Sequence, residues 1–179
     1  MGTILMVTGG ARSGKSTYAE RRAYELAGSD VTYIATAEPL DEEMARRIAE
    51  HRESRPPEWI TVEAPRDAAL AVEAASTPVI LVDCLTVLSS NALLDVWVEG
   101  GEVAALTAVC TEAEALRDAA LDREGTTIIV TNEVGLGVHP PTALGRWYRD
   151  ALGRANTLIA EAASEVVMLV SGIPVRIKG

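Results

Sequence analysis

Eight consecutive residues, Gly9-Gly10-Ala11-Arg12-Ser13-Gly14-Lys15-Ser16, bring together the residue types that phosphate chemistry requires at one point. Glycines at 9, 10 and 14 allow a tight backbone path whose N–H groups converge on anionic oxygens, and a helix starting behind them adds its positive end. The spacing G-x-x-x-x-G-K-S puts the Lys15 ammonium within reach of β and γ phosphates and the Ser16 hydroxyl where a nucleotide-bound Mg²⁺ takes a ligand. The plain alternative is a glycine-rich turn with an incidental Lys-Ser pair. An apolar run before the motif and a helical pattern after it favour the phosphate loop.

A second oxygen donor closes the apolar run Val79-Ile80-Leu81-Val82-Asp83. A carboxylate at a strand end beside a phosphate loop holds Mg²⁺ directly or through water. An aspartate there can equally cap the helix that follows, and the residues alone leave both roles open.

The third candidate is His51, one of two histidines in the chain, with Arg46, Arg47, Arg52 and Arg55 around it. Acidic residues at 41–43, arginines toward the other end and Pro56-Pro57 as a stop predict a helix over 41–55. At 3.6 residues per turn Met44, Ile48, His51 and Arg55 fall on one stripe, with Arg47 beside it, so the imidazole sits on the inward face. A histidine in that position is commonly a hydrogen-bonded boundary residue. It becomes a nucleophile only with an electrophilic phosphorus nearby and arginines to neutralise its oxygens.

Positioning these groups calls for strands that deliver their ends to one edge. Short β-branched runs start at Thr3, Val31, Pro78, Thr126 and Glu165, continuous in apolarity, as strands buried on both faces of a parallel sheet are. Helical patterns over 14–27, 41–55, 66–76, 85–96, 102–122 and 141–163 alternate with them. The alternation predicts right-handed βαβ crossovers and one three-layer α/β domain spanning 1–179. A turn at Gly172-Ile173-Pro174 returns the chain as an antiparallel edge strand.

Bulk properties agree. The 179 residues are 48% hydrophobic with no Phe, so Val, Leu, Ile and Ala form the core, and a net charge of -10 argues against a general nucleic-acid or anionic-membrane surface. Cys84 and Cys110 are too far apart for a CxxC site and too few for a disulfide framework, which suits reduced cytoplasmic thiols. No apolar run approaches a membrane span, and the N-terminus lacks a signal-peptide pattern.

Seven stretches together resemble one family, the bifunctional adenosylcobinamide kinase/adenosylcobinamide-phosphate guanylyltransferases of cobalamin biosynthesis. They are "TGGARSGKS" (8–16), "YIATA" (33–37), "DEEMARRIAEHRESRPPEWITVE" (41–63), "LVDCLT" (81–86), "TNEVGLGV" (131–138), "RWYRDALGRAN" (146–156) and "SGIPVRIK" (171–178). The chain departs from the family at His139-Pro140-Pro141 and in lacking an aromatic in "VLSSNALLD".

The resemblance implies a P-loop NTPase-type fold. It also implies two reactions at one site: phosphorylation of adenosylcobinamide by ATP or GTP, then transfer of GMP from GTP to the new phosphate through a guanylylated histidine matching His51. Lys15 is the other catalytic residue it implies. Nucleotide contacts would come from Gly9, Gly10, Ala11, Arg12, Ser13, Gly14, Lys15 and Ser16, from Thr36, Ala37 and Glu38, from Arg52, Glu53, Ser54 and Arg55, and from Glu63 and Asp83. Ser16 and Asp83 would hold Mg²⁺, and a homo-oligomer, a trimer, is implied. Two other readings stay open, an enzyme with one of the two activities and a nucleotide switch without transfer. His139 reads as a surface residue, Asn132 and Glu133 as either a turn or a site wall, and Arg146, Arg149, Asp150 and Asn156 as contacts to a partner subunit or the corrinoid or, more plainly, as ion pairs on a solvated helix face.

Overall fold

The computed structural model describes residues 1–53 and 55–179; Ser54 and the side chains of Arg47, Val98 and Glu99 lie outside the described set. Among the described residues seven strands form one sheet: β1 (Thr3–Gly9), β2 (Val31–Ala35), β3 (Ile60–Glu63), β4 (Val79–Asp83), β5 (Thr126–Val130), β6 (Glu165–Val170) and β7 (Ile173–Lys178). Their order is β3-β2-β4-β5-β1-β6-β7, parallel throughout except for β7, which pairs antiparallel with β6. The helices are α1 (Lys15–Ala27), α2 (Glu42–Glu53), α3 (Ala68–Ala74), α4 (Leu85–Asp122) and α5 (Ala143–Ala162).

The period of two along each strand sorts the core into two layers. Ile4, Met6, Ile34, Ile80, Val82 and Ile129 pack on one face against α3, α4 and α5, and Leu5, Val7, Val31, Tyr33, Leu81 and Ile128 pack on the other against Ala19 and Ala23 of α1. Full burial of side chains such as Ile34, Ile80 and Ile129 contributes about 2 kcal/mol each. The three-layer α/β expectation holds.

Three local features differ from the sequence reading. β3 has no counterpart there: four residues with alternating polarity between Pro57 and Pro65 are too short to register as a strand pattern. The helices expected over 85–96 and 102–122 meet in α4 across a kink at Gly101, whose φ of 64° and ψ of -160° only glycine adopts readily. The C-terminal turn is Ser171-Gly172, both with positive φ as a two-residue hairpin turn favours, and Pro174 lies inside β7 opposite Leu169. Proline is tolerated there because β7 is an edge. The Gly172 N–H donates to the Ser13 carbonyl (3.1 Å), so this hairpin braces the loop after β1.

Candidate functional site

The C-terminal ends of β1, β2, β4 and β5 open into a cavity of about 690 Å³. One wall is the loop from Ala11 to Thr17, a second is Met44, Ile48, Glu50, His51 and Arg55, and the floor carries Tyr33, Ala35, Asp83, Thr86 and Asn132. The stripe read from the helical period therefore faces this space, and His51 and Lys15 share it.

The loop is shaped by its glycines. Gly9 has φ 153° and no room for a side chain, since a Cβ would lie 2.6 Å from both the Leu169 carbonyl oxygen and Ser13 Oγ. Gly14, with φ 87°, is the N-cap of α1, so the helix starts at Lys15 with its free N–H groups turned to the cavity. Lys15 Nζ donates to the Gly10 carbonyl (3.3 Å) across the loop.

Asp83 does not cap α4, whose N-cap is Cys84. Its Oδ2 instead accepts a hydrogen bond from the Tyr33 hydroxyl at 2.9 Å. The Arg55 guanidinium lies over the Tyr33 ring, 3.3 Å from its centroid. Glu20, one helical turn beyond Ser16, is the fourth member: burial, then the Asp83 charge, raise its carboxyl to about 7, against a lowering by Arg55. Burial and Asp83 also raise the Tyr33 phenol, so it stays a donor. Burial pushes the Cys84 thiol up to about 12, with Asp83 adding to it, which keeps it protonated and poorly nucleophilic.

α2 is held at its ends. The Met44 N–H donates to Asp41 Oδ1 (2.7 Å) at the start. Arg55, expected inside the helix, lies outside it, because it precedes Pro56 and is biased away from helical backbone. Arg52 pairs outward with Glu63 at 3.3 Å, an exposed contact worth little by itself. Among its described side chains none is buried.

Ser16 and Asp83 present a hydroxyl and a carboxylate to the cavity. Those hard oxygen donors fit Mg²⁺, which takes one or two protein ligands when phosphates supply the others.

The family model described as cobinamide kinase / cobinamide phosphate guanyltransferase matches residues 5–177. The chain belongs to that family. It is 41% identical to the bifunctional adenosylcobalamin biosynthesis protein CobU of Escherichia coli, covering 98% of this chain and 99% of that one. The bifunctional adenosylcobalamin biosynthesis protein CobP of Pseudomonas aeruginosa is 44% identical over 97% of this chain and 96% of its own length. A KaiC-like protein of Pyrococcus horikoshii shares the fold, with a TM-score of 0.52 at 17% identity over 93% of this chain and 70% of that one.

Within this cobinamide kinase / guanyltransferase chain, the expected nucleotide contacts divide. Ala11, Arg12, Ser13, Gly14, Lys15, Ser16, Ala37, Arg55 and Asp83 line the cavity. Gly9, at the end of β1, and the exposed Gly10 are not among the lining residues. Thr36 is fully buried, and its hydroxyl donates to the Cys84 carbonyl and accepts from the Cys84 N–H, so it fixes the corner beside Asp83. Glu38 pairs with Arg66, Arg52 with Glu63, and Glu53 is exposed; none of these lines the cavity. Ser54 lies outside the described residues.

Asn132 proves to be a wall residue, whereas Glu133 turns the chain by accepting from the Gly135 N–H at 2.8 Å. Asn156 is not on a solvated face: it is 6% exposed, accepts from the Thr131 hydroxyl and donates to the Asn132 carbonyl, locking the end of β5. Arg146 and Arg149 bind the loop before α5, through the Pro140 and Pro141 carbonyls and the exposed His139 ring. Tyr33, Thr86 and Cys84 escaped the sequence reading. Only the position of Tyr33 within "YIATA" pointed to it.

Glu20 yields a test of the site's electrostatics. Its folded pKa lies above the ordinary 4.5, so its neutral form favours folding. That contribution is complete below 4.5 and is lost as pH rises through about 7. In nucleotide-free protein, Glu20→Gln should therefore raise stability at pH 8 by about 1 kcal/mol, a figure discounted for partial exposure. Urea titrations at pH 8 and pH 4 check it: the gain should vanish at pH 4.

Proposed function

We propose that this one cavity carries both activities of the family, with the whole chain acting as a single nucleotide-binding domain. The first is transfer of the γ phosphoryl of ATP or GTP to the hydroxyl of adenosylcobinamide. The second is transfer of GMP from GTP to the resulting phosphate, giving adenosylcobinamide-GDP for cobalamin biosynthesis. The observation that carries this reading is that Lys15 and His51 line the same cavity. Its volume lies within the roughly 300–1,000 Å³ of small-molecule sites.

The two steps act on different phosphorus atoms of a triphosphate held the same way. Loop N–H groups and Lys15 bind the β and γ phosphates. In the kinase step the corrinoid hydroxyl oxygen bonds to the γ phosphorus and gives up its proton to water, the β–γ bridge breaks to release the nucleoside diphosphate, and loop and lysine stabilise charge on the transferring group. In the guanylyl step a ring nitrogen of His51 bonds to the α phosphorus, the α–β bridge breaks, and the same donors receive the pyrophosphate. The phosphoramidate on His51 is then attacked by a phosphate oxygen of the corrinoid, which breaks the P–N bond and restores the imidazole. Arg55 faces the cavity and neutralises phosphate oxygens. Ser16 and Asp83 would hold Mg²⁺, which when bound withdraws charge from those oxygens.

The exposed apolar side chains Ile173, Val175 and Ile177 along β7 support a homo-oligomer, because a monomer leaves that edge strand uncovered; the trimer follows from the family resemblance alone. Among the described residues no helix is long and apolar enough to cross a membrane. We assign the protein to the cytoplasm because its chemistry consumes ATP and GTP.

The test uses GTP labelled at one phosphorus or the other. With Mg²⁺, α-labelled GTP should leave acid-labile, base-stable radioactivity on the protein and γ-labelled GTP should not. Label from both, or from neither, sinks the guanylyl-histidine step.

A further inference from the structure

Tyr33 touches two groups whose tasks differ. It comes from the middle of β2, is 2% exposed, and turns its ring toward the cavity floor. The hydroxyl donates to Asp83 Oδ2 at 2.9 Å, and the ring face carries the Arg55 guanidinium 3.3 Å from its centroid. We propose that Tyr33 is a positioning residue for both reactions, its hydroxyl setting the Asp83 carboxylate and its ring shelving Arg55 with the guanidinium edge turned to phosphate. The proposal deepens the reading of this cavity as a GTP site and rests on it.

The geometry leaves each partner half used. One carboxylate oxygen of Asp83 is taken by the hydroxyl, which orients the other without neutralising it, as outer-shell hydrogen bonds do for metal-binding carboxylates. Stacking holds Arg55 by its face, so its N–H groups are not consumed in the grip. Arg55 Nε is buried and finds no hydrogen-bond partner, and neither does Glu20 Oε1 nearby, so the guanidinium is not locked into an ion pair through that atom. A buried donor left unpaired is costly unless something meets it. A phosphate oxygen in the cavity would. The two contacts also reinforce each other, because a phenol that donates to a carboxylate has a more electron-rich ring and holds a cation over its face more firmly.

Two substitutions separate the halves. Tyr33→Phe keeps the ring and removes the hydroxyl; Tyr33→Leu removes both. GTP affinity of the full chain is measured by calorimetry with and without Mg²⁺, which reads binding and needs no corrinoid. Tyr33→Phe should bind GTP without Mg²⁺ within about twofold of wild type and lose about tenfold of the tightening that Mg²⁺ brings. Tyr33→Leu should in addition weaken Mg²⁺-free binding by about tenfold, the loss of the shelf. Arg55→Ala should weaken Mg²⁺-free binding by a similar factor in wild type and by much less when combined with Tyr33→Leu. If Tyr33→Leu does not fold, Arg55→Lys replaces it, since an ammonium cannot stack as a plane and should weaken Mg²⁺-free binding alike.

A merely structural tyrosine would give equal losses with and without Mg²⁺ in both variants. That result, or Tyr33→Phe indistinguishable from wild type in both conditions, overturns the proposal while leaving the GTP site intact. Wild type that fails to bind GTP overturns the underlying reading together with it.

Discussion

Alanine at position 51 is expected to stop guanylyl transfer and leave phosphorylation of the corrinoid running. In the proposed chemistry His51 is the nucleophile only in the second reaction, so its loss removes the covalent intermediate and with it at least about a thousandfold of rate, as loss of a catalytic nucleophile does elsewhere. The kinase step needs the loop, Lys15 and the donors on the cavity floor, and the proposed chemistry gives the imidazole no part in it. Its rate should stay within about threefold of wild type. The fold should be indifferent, because His51 is exposed on α2 and alanine is the better helix former. Measuring the two products separately, adenosylcobinamide phosphate and adenosylcobinamide-GDP, decides the matter. A parallel fall in both would mean that His51 serves substrate binding and is no nucleophile.

Lys15→Ala makes the complementary case, since it should injure both reactions. Lys15 follows the N-cap glycine of α1 on the cavity wall, where its ammonium meets the β and γ phosphates in the proposed binding mode. In that mode it would offset charge on the transferring group in the kinase step and on the departing pyrophosphate in the guanylyl step. Removing one preorganised charged donor of this kind costs about a hundred- to thousandfold in rate. Both product assays should therefore fall by that order, while thermal unfolding shows an intact protein. A variant deficient in one reaction alone would separate the two nucleotide sites and break the single-cavity reading.

The contrast between these residues also explains what could be read from the sequence. Loop chemistry is written in contiguous residues, since 9–16 carry both the backbone freedom and the donors. The α2 stripe is legible because a helical period fixes which side chains share a face, and Met44, Ile48, His51 and Arg55 do line the cavity. Tyr33 is hidden in the sequence because its partners, Asp83 and Arg55, lie 50 and 22 residues away and meet it only through sheet pairing of β2 with β4 and the placement of Arg55 over its ring. Thr36 and Asn156 lie away from their expected surroundings for a related reason. Polar residues near a strand end or on a helix look like ligand or solvent contacts, yet each spends its hydrogen bonds on a neighbouring strand corner. Arg52 and Glu63, both expected to meet nucleotide, pair with each other across the gap between α2 and β3.

The bond from the Gly172 N–H to the Ser13 carbonyl has a bearing on how the protein is made. The phosphate loop leaves a ribosome before β5 and β6, the two strands that flank β1, and before the turn after β6 that touches the loop. A nascent chain can thus display the glycine motif long before it has the neighbours that hold the motif in shape. Grip on a nucleotide comes late, once these strands have closed on β1. Cellular GTP and ATP then favour the finished molecule over its incomplete forms, because a ligand stabilises only the state that binds it.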